Sequence, residues 1–73
     1  MRVKNSMVGK KVIFKNVEDC RNISTEAELS VFEHMTEDMI EAGIISKVDT
    51  KDNTFRIKNS CFWFAGEWIE EIK

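Results

Sequence analysis

The stretch "CFWFAGEWIEEI", residues 61–72, decides how this chain is read. It places Phe62, Trp63, Phe64, Trp68, Ile69 and Ile72 in the part of a small protein most prone to fraying, so it is either a sticky face or the core itself. A chain of 73 residues buries only roughly 60% of the surface that its unfolded form exposes. Nearly every large apolar side chain is then needed inside, because burial barely offsets the ordering cost at this size. The stretch is accordingly expected to be two closing strands, Cys61–Phe64 and Trp68–Ile72, separated by the small and polar Ala65-Gly66-Glu67. Strand alternation puts Cys61 and Trp63 on one face and Phe62 and Phe64 on the other. One of these faces needs a cover, which Leu29, Phe32 and Met35 are expected to supply; a second subunit or a partner is the alternative.

Upstream, Thr54-Phe55-Arg56-Ile57-Lys58 alternates apolar and basic residues, the pattern of a strand with one wet face. "DTKDNT" before it supplies a turn in which Asp52-Asn53 tolerates positive φ, and Ile44–Val48 is the partner strand. Gly43 after Ala42 suits the residue that ends a helix in the left-handed conformation. Thr36 followed by Glu37 and Asp38 suits a helix start, which predicts a helix over 36–42. Thr25-Glu26-Ala27-Glu28 has capping-box spacing, so a helix can start there, and the segment 25–35 is either part of one bent helix with 36–42 or a loop before it. "NVEDCRNIST", residues 16–25, shows no period and is expected to be loop. Residues 8–15, "VGKKVIFK", read as the first strand.

Charged residues at 33% and hydrophobic residues at 42%, with a net charge of -2, describe a folded globular chain. The longest apolar run is the few residues from Cys61 to Ala65, too short to span a bilayer, and Met1-Arg2-Val3-Lys4 leads into no signal-peptide core, so a cytoplasmic location without membrane contact is expected. Cys20 and Cys61 are expected to be reduced thiols. Together with His34, the only histidine, they lack zinc-site spacing, so no metal is expected. Asn22-Ile23-Ser24 has the form of a glycosylation acceptor but no secretory route to make use of it. No linker or repeat divides the chain, and one domain over residues 1–73 is expected.

This order of elements resembles that of SH3-like barrels, in which a single 3-10 turn separates the last two strands where "FAGEW" stands here. With the basic first strand "VGKKVIFK", the segment Met39 to Gly43 and the aromatic, acidic close "FWFAGEWIEEI", the chain is more particularly similar to small SH3-like proteins encoded by phages and prophages of Gram-positive bacteria. The resemblance runs from Val8 to Ile72. It implies a mainly-β, five-stranded SH3-like barrel with a helical insertion between strands 1 and 2. It also implies a setting in which accessory proteins bind host or phage macromolecules.

No catalytic constellation stands out: His34 is the only imidazole able to serve Cys20 or Cys61, and adjacent acids such as Glu70/Glu71 sit at element ends. No enzyme activity and no cofactor are therefore expected. Trp63, Trp68 and Phe62 are the candidate anchors for a partner protein, since Trp is enriched at interface hot spots. Tyr is absent, which argues against a proline-rich ligand. Glu37, Asp38 and Glu41 are the candidate acidic contacts, suited to a basic surface such as one on a host defence complex that a phage inhibitor would bind. The alternative is a nucleic-acid-binding barrel using Lys10, Lys11, Arg56 and Lys58, which requires these charges on one face with an aromatic to stack a base.

Overall fold

The computed structural model describes residues 1–41 and 43–73. A 3-10 turn (Asn5–Met7) leads into β1 (Lys11–Phe14), α1 (Val17–Arg21), α2 (Glu33–Glu41), β2 (Gly43–Asp49) and β3 (Thr54–Ile57). Then come β4 (Phe64–Ala65), a second 3-10 turn (Gly66–Trp68) and β5 (Ile69–Ile72). The five strands form one antiparallel sheet in the order β4-β3-β2-β1-β5. This mainly-β arrangement with two helices is the expected class, but the sheet stays open, with β4 and β5 as its edges.

The inner face of the sheet follows from strand alternation. Val12 and Phe14 of β1, Ile45 of β2, Phe55 and Ile57 of β3, Phe64 of β4 and Ile69 of β5 are all buried. Phe14, Phe55 and Phe64 form a ring triad with centroids 5.2–5.8 Å apart, within the range where aromatic rings attract beyond simple burial. Trp68 is completely buried with them, held by the 3-10 turn at the expected place between β4 and β5. The expected positive φ is found at Asn53, at 60°.

The first strand is shorter than residues 8–15. Gly9 adopts φ 90°, which breaks the extended chain, and its N–H donates to Ile45 O at 2.8 Å before β1 begins. Residues 16–25 are not all loop, because 17–21 form a single short helix. Asn16 Oδ1 accepts from Glu18 N at 2.8 Å as its N-cap, Glu18 and Asp19 occupy the positive first turn, and Arg21 the last. Five residues are too few to display a 3.6-residue period.

Thr25 does not open a helix. Its Oγ1 accepts from Leu29 N and its carbonyl from Glu28 N, but Glu28 turns to φ 56° and ends the segment after one turn. Nor is Thr36 a cap. It lies inside α2, which starts three residues earlier, and its hydroxyl donates to Glu33 O at 2.7 Å. The expected end of that helix, Ala42, lies outside the described residues. The fourth strand is displaced from 61–64 to Phe64–Ala65, because Asn59 at φ 70° and the Ser60 Oγ bond from Phe62 N hold the preceding segment off the ladder. It is an edge strand of the sheet.

Asn53 ties the ends of the fold together. Its buried side chain accepts from Val3 N at 2.7 Å and donates to Met1 O and Glu67 Oε1, while its carbonyl accepts from Gly66 N at 2.8 Å. Val3 is thereby drawn into the core.

Candidate binding surfaces

α2 packs on α1 and β1 through Met35 and Met39, four residues apart and both buried. The helix carries a second apolar pair that this packing leaves outside. Phe32, at its entry, is 57% exposed and Ile40 is 77% exposed. Thr36 lies four residues from each, so the three follow one edge of the helix. Glu33, Glu37 and Glu41 repeat at the same spacing beside them and are all exposed. Of the expected acidic contacts, Glu37 and Glu41 therefore face solvent. Asp38 turns to the other flank, where it is half-buried and its Oδ2 accepts from Ser60 Oγ at 2.8 Å. There Asp38 and Glu41 line a depression of about 300 Å³ together with Ile44, Lys58 and Asn59.

The aromatic anchors separate. Trp68 has no exposed surface and is a core residue that no partner can reach without unfolding the turn. Phe62 is half-buried, edge-on to Phe64 at 6.4 Å, and forms the skin of the core. Trp63 alone of the three is a surface residue, 37% exposed. The face of the 61–64 segment that points inward is thus Phe62/Phe64. Met35 is buried where α2 packs on α1 and β1, and Phe32 is exposed and not part of the expected cover.

The Arg56 guanidinium lies 5.8 Å from the centroid of the Trp63 ring and donates to Ser60 O at 3.2 Å. Trp63 also lines a depression of about 370 Å³ with Ala27, Leu29, Asp49, Asp52 and Thr54.

The basic residues are only partly collected. Lys11 stands opposite Ile44, whose carbonyl accepts from Lys58 N, so Lys11, Ile44 and Lys58 form a row across β1, β2 and the end of β3. Arg56 stands opposite Lys47. Lys10 is exposed at the entry to β1. The neighbours of this set are acidic, however: Lys58 shares its depression with Asp38 and Glu41, and Trp63 shares its own with Asp49 and Asp52.

Cys20 is buried and Cys61 exposed, both as free thiols. Burial pushes the Cys20 thiol up from its ordinary value; Lys15 pulls it back and Asp19 adds to the rise. Its Sγ also lies 3.6 Å from Lys15 O. A neutral, buried thiol is a poor nucleophile. We expect one thiol to react with Ellman's reagent in the native protein and two after denaturation; two fast-reacting thiols in the native state would contradict the burial of Cys20. Because the folded state holds this proton more tightly, the contribution of Cys20 to stability is constant below about pH 8.5 and declines as pH rises further.

Among the described residues no helix is long and apolar enough to cross a membrane, and no group of three or more His, Cys, Asp or Glu side chains is placed to hold a metal ion. The sequence pointed to Glu37, Glu41 and Trp63 but not to Phe32 and Ile40 as surface residues. The spacing of Met35 and Met39 carries that signal for Ile40, which falls outside their stripe, but not for Phe32, which stands three and seven residues before them. Comparison with known protein families, with characterised proteins and with solved structures finds no match for this chain.

Proposed function

We propose that this chain is a small, non-catalytic binding protein that acts through protein–protein contact. The observation that carries this reading is the edge of α2, where Phe32 and Ile40 stay 57% and 77% exposed beside Glu33, Glu37 and Glu41. They are the two most exposed of the large apolar side chains among the described residues, and in a domain of 73 residues leaving both outside forgoes core burial that the fold can use. An apolar strip flanked by acids fits a partner surface that is apolar with a basic rim. The strand order β4-β3-β2-β1-β5 and the 3-10 turn before β5 support an SH3-like architecture for the module. The phage or prophage setting, a cytoplasmic site of action and inhibition of a host defence complex extend the same proposal on the strength of the sequence resemblance.

The nucleic-acid reading is weaker because carboxylates stand next to both of its requirements. A phosphate approaching Lys58 meets Asp38 and Glu41, and a base stacking on Trp63 meets Asp49 and Asp52. Two experiments separate these readings. A tagged chain should capture from a bacterial lysate a protein that the Phe32→Ser/Ile40→Ser variant fails to capture while keeping the wild-type melting temperature. Gel shifts against single- and double-stranded DNA and RNA at low salt should show no retardation. Identical capture by both chains would refute the α2 assignment, and tight, salt-steep gel shifts would favour the nucleic-acid reading.

A further inference from the structure

The depression at Trp63 has a different chemistry from the α2 edge. It is built by two separate turns, 25–29 and 50–53, brought to the same place by the β2–β3 hairpin and the excursion that follows α1. Its apolar walls are Leu29, Ala27 and the Trp63 indole. Its polar groups are Asp49, Asp52 and Thr54. Each carboxylate is already oriented by one internal bond: Asp49 Oδ1 accepts from Lys51 N at 3.0 Å, and Asp52 Oδ1 accepts from Thr54 Oγ1 at 2.6 Å. The second oxygen of each has no hydrogen-bond partner among the described residues.

Two of the cations nearby are held by other partners, and a third, Lys51, is not paired among the described residues. Arg2 is paired with Glu26 Oε2 at 2.6 Å and Thr50 O at 2.7 Å, and Arg56 is tied to Ser60 O beside the indole. Lys51 is exposed on the turn itself. Two oriented carboxylates beside an indole and an aliphatic wall complement one kind of group, an apolar stem ending in a cation. An anionic ligand would meet like charge, and a neutral apolar one would leave the carboxylates desolvated without compensation.

We infer that this depression takes the lysine or arginine side chain of a partner polypeptide, its charged head on Asp49 and Asp52 and its stem against Trp63 and Leu29. The inference rests on the reading of the chain as a protein-binding module, and it adds the chemistry of one contact that the partner makes. The α2 edge selects an apolar surface with a basic rim; the depression adds a single inserted cation.

The test needs no identified partner. The full chain, labelled with 15N, is titrated with the peptides Gly-Ser-Arg-Ser-Gly and Gly-Ser-Lys-Ser-Gly and with a control in which neutral citrulline replaces the arginine. Saturable shifts are expected at the indole N–H of Trp63 and at the amides of residues 27–29 and 49–54, with a dissociation constant on the order of 1 mM, as befits a single side-chain contact. The Asp49→Asn/Asp52→Asn chain keeps the acceptors that orient the turn and should bind these peptides roughly tenfold more weakly, in line with two partly exposed charge contacts. Equal shifts with the citrulline peptide, shifts located on α2, or none at all would overturn the inference. Failure here while Phe32→Ser/Ile40→Ser still abolishes capture removes the cation site and leaves the α2 reading standing. Peptide binding at Trp63 without α2-dependent capture removes the α2 reading instead.

Discussion

Replacing Trp68 with alanine is expected to unfold much of the population at physiological temperature. The side chain is completely buried, and a Trp→Ala truncation in a core costs about 3–5 kcal/mol. A domain of this length has roughly 4–11 kcal/mol in total at ordinary per-residue stability. In thermal unfolding followed by circular dichroism, the melting temperature should fall by at least about 12 °C. Trp68→Phe should cost far less. It keeps most of the ring and removes an indole N–H that has no hydrogen-bond acceptor among the described residues, a burden worth about 1–3 kcal/mol. Trp63→Ala, at the surface, should lower the melting temperature by only a few degrees. If Trp63→Ala and Trp68→Ala destabilise the chain equally, the division of the two tryptophans between surface and core is wrong.

A second large effect is expected at Gly66, from crowding instead of lost burial. A Cβ there would lie 2.5 Å from Asn53 Oδ1 and 2.6 Å from Met1 O, closer than real contacts allow. Gly66→Ala must therefore displace the Asn53 side chain, which breaks its bonds to Val3 N, Met1 O and Glu67 Oε1. Leaving a buried N–H such as that of Val3 without an acceptor costs about 1–3 kcal/mol, and the displaced turn adds to it, so a loss of about 3 kcal/mol is expected in urea unfolding. Asn53→Gly and Asn53→Ala divide the effect at the other partner. Both lose the side-chain bonds, but only alanine must also hold φ 60°, at about 1 kcal/mol or more. Gly66→Ala at wild-type stability would show that the contact between residues 1–3 and the 50–53 turn does not form.

The sheet was legible because its signals are local. Thr54 to Lys58 alternates cleanly, Asp52-Asn53 marks a turn, and Ala65-Gly66-Glu67 marks a break between aromatic runs, so β2, β3, β5 and the second 3-10 turn fall close to where they are found. The helical third was not legible, because its signals conflict over short distances. The Thr25 capping box is satisfied by a single turn that Glu28 ends at φ 56°, and Thr36 carries the marks of a cap while sitting inside α2. α1 had cap signals at Asn16 and Arg21 but too little length for a period.

The candidate surfaces were half legible. The acidity of α2 and the prominence of Trp63 can be read directly from the chain. That Trp68 turns inward and Trp63 outward depends on how the 58–63 segment leaves the ladder, which alternation cannot say. The pairing of Asp49 and Asp52 with Leu29 across the Trp63 depression, like that of Val3 with Asn53, joins residues 20 to 50 positions apart and has no local signature.

The fold of the tail, and the choice of Trp63 as a surface, depend on Trp63 and Trp68 lying on opposite sides of the molecular boundary, and iodide quenching of tryptophan fluorescence in the Trp63→Phe protein tests this most directly. With Trp68 as the only tryptophan, the native protein should emit to the blue of its denatured form and resist quenching until it is unfolded. Emission as red and as readily quenched in the native state as in denaturant would contradict the fold of the tail and, with it, the choice of Trp63 as a surface that a partner meets.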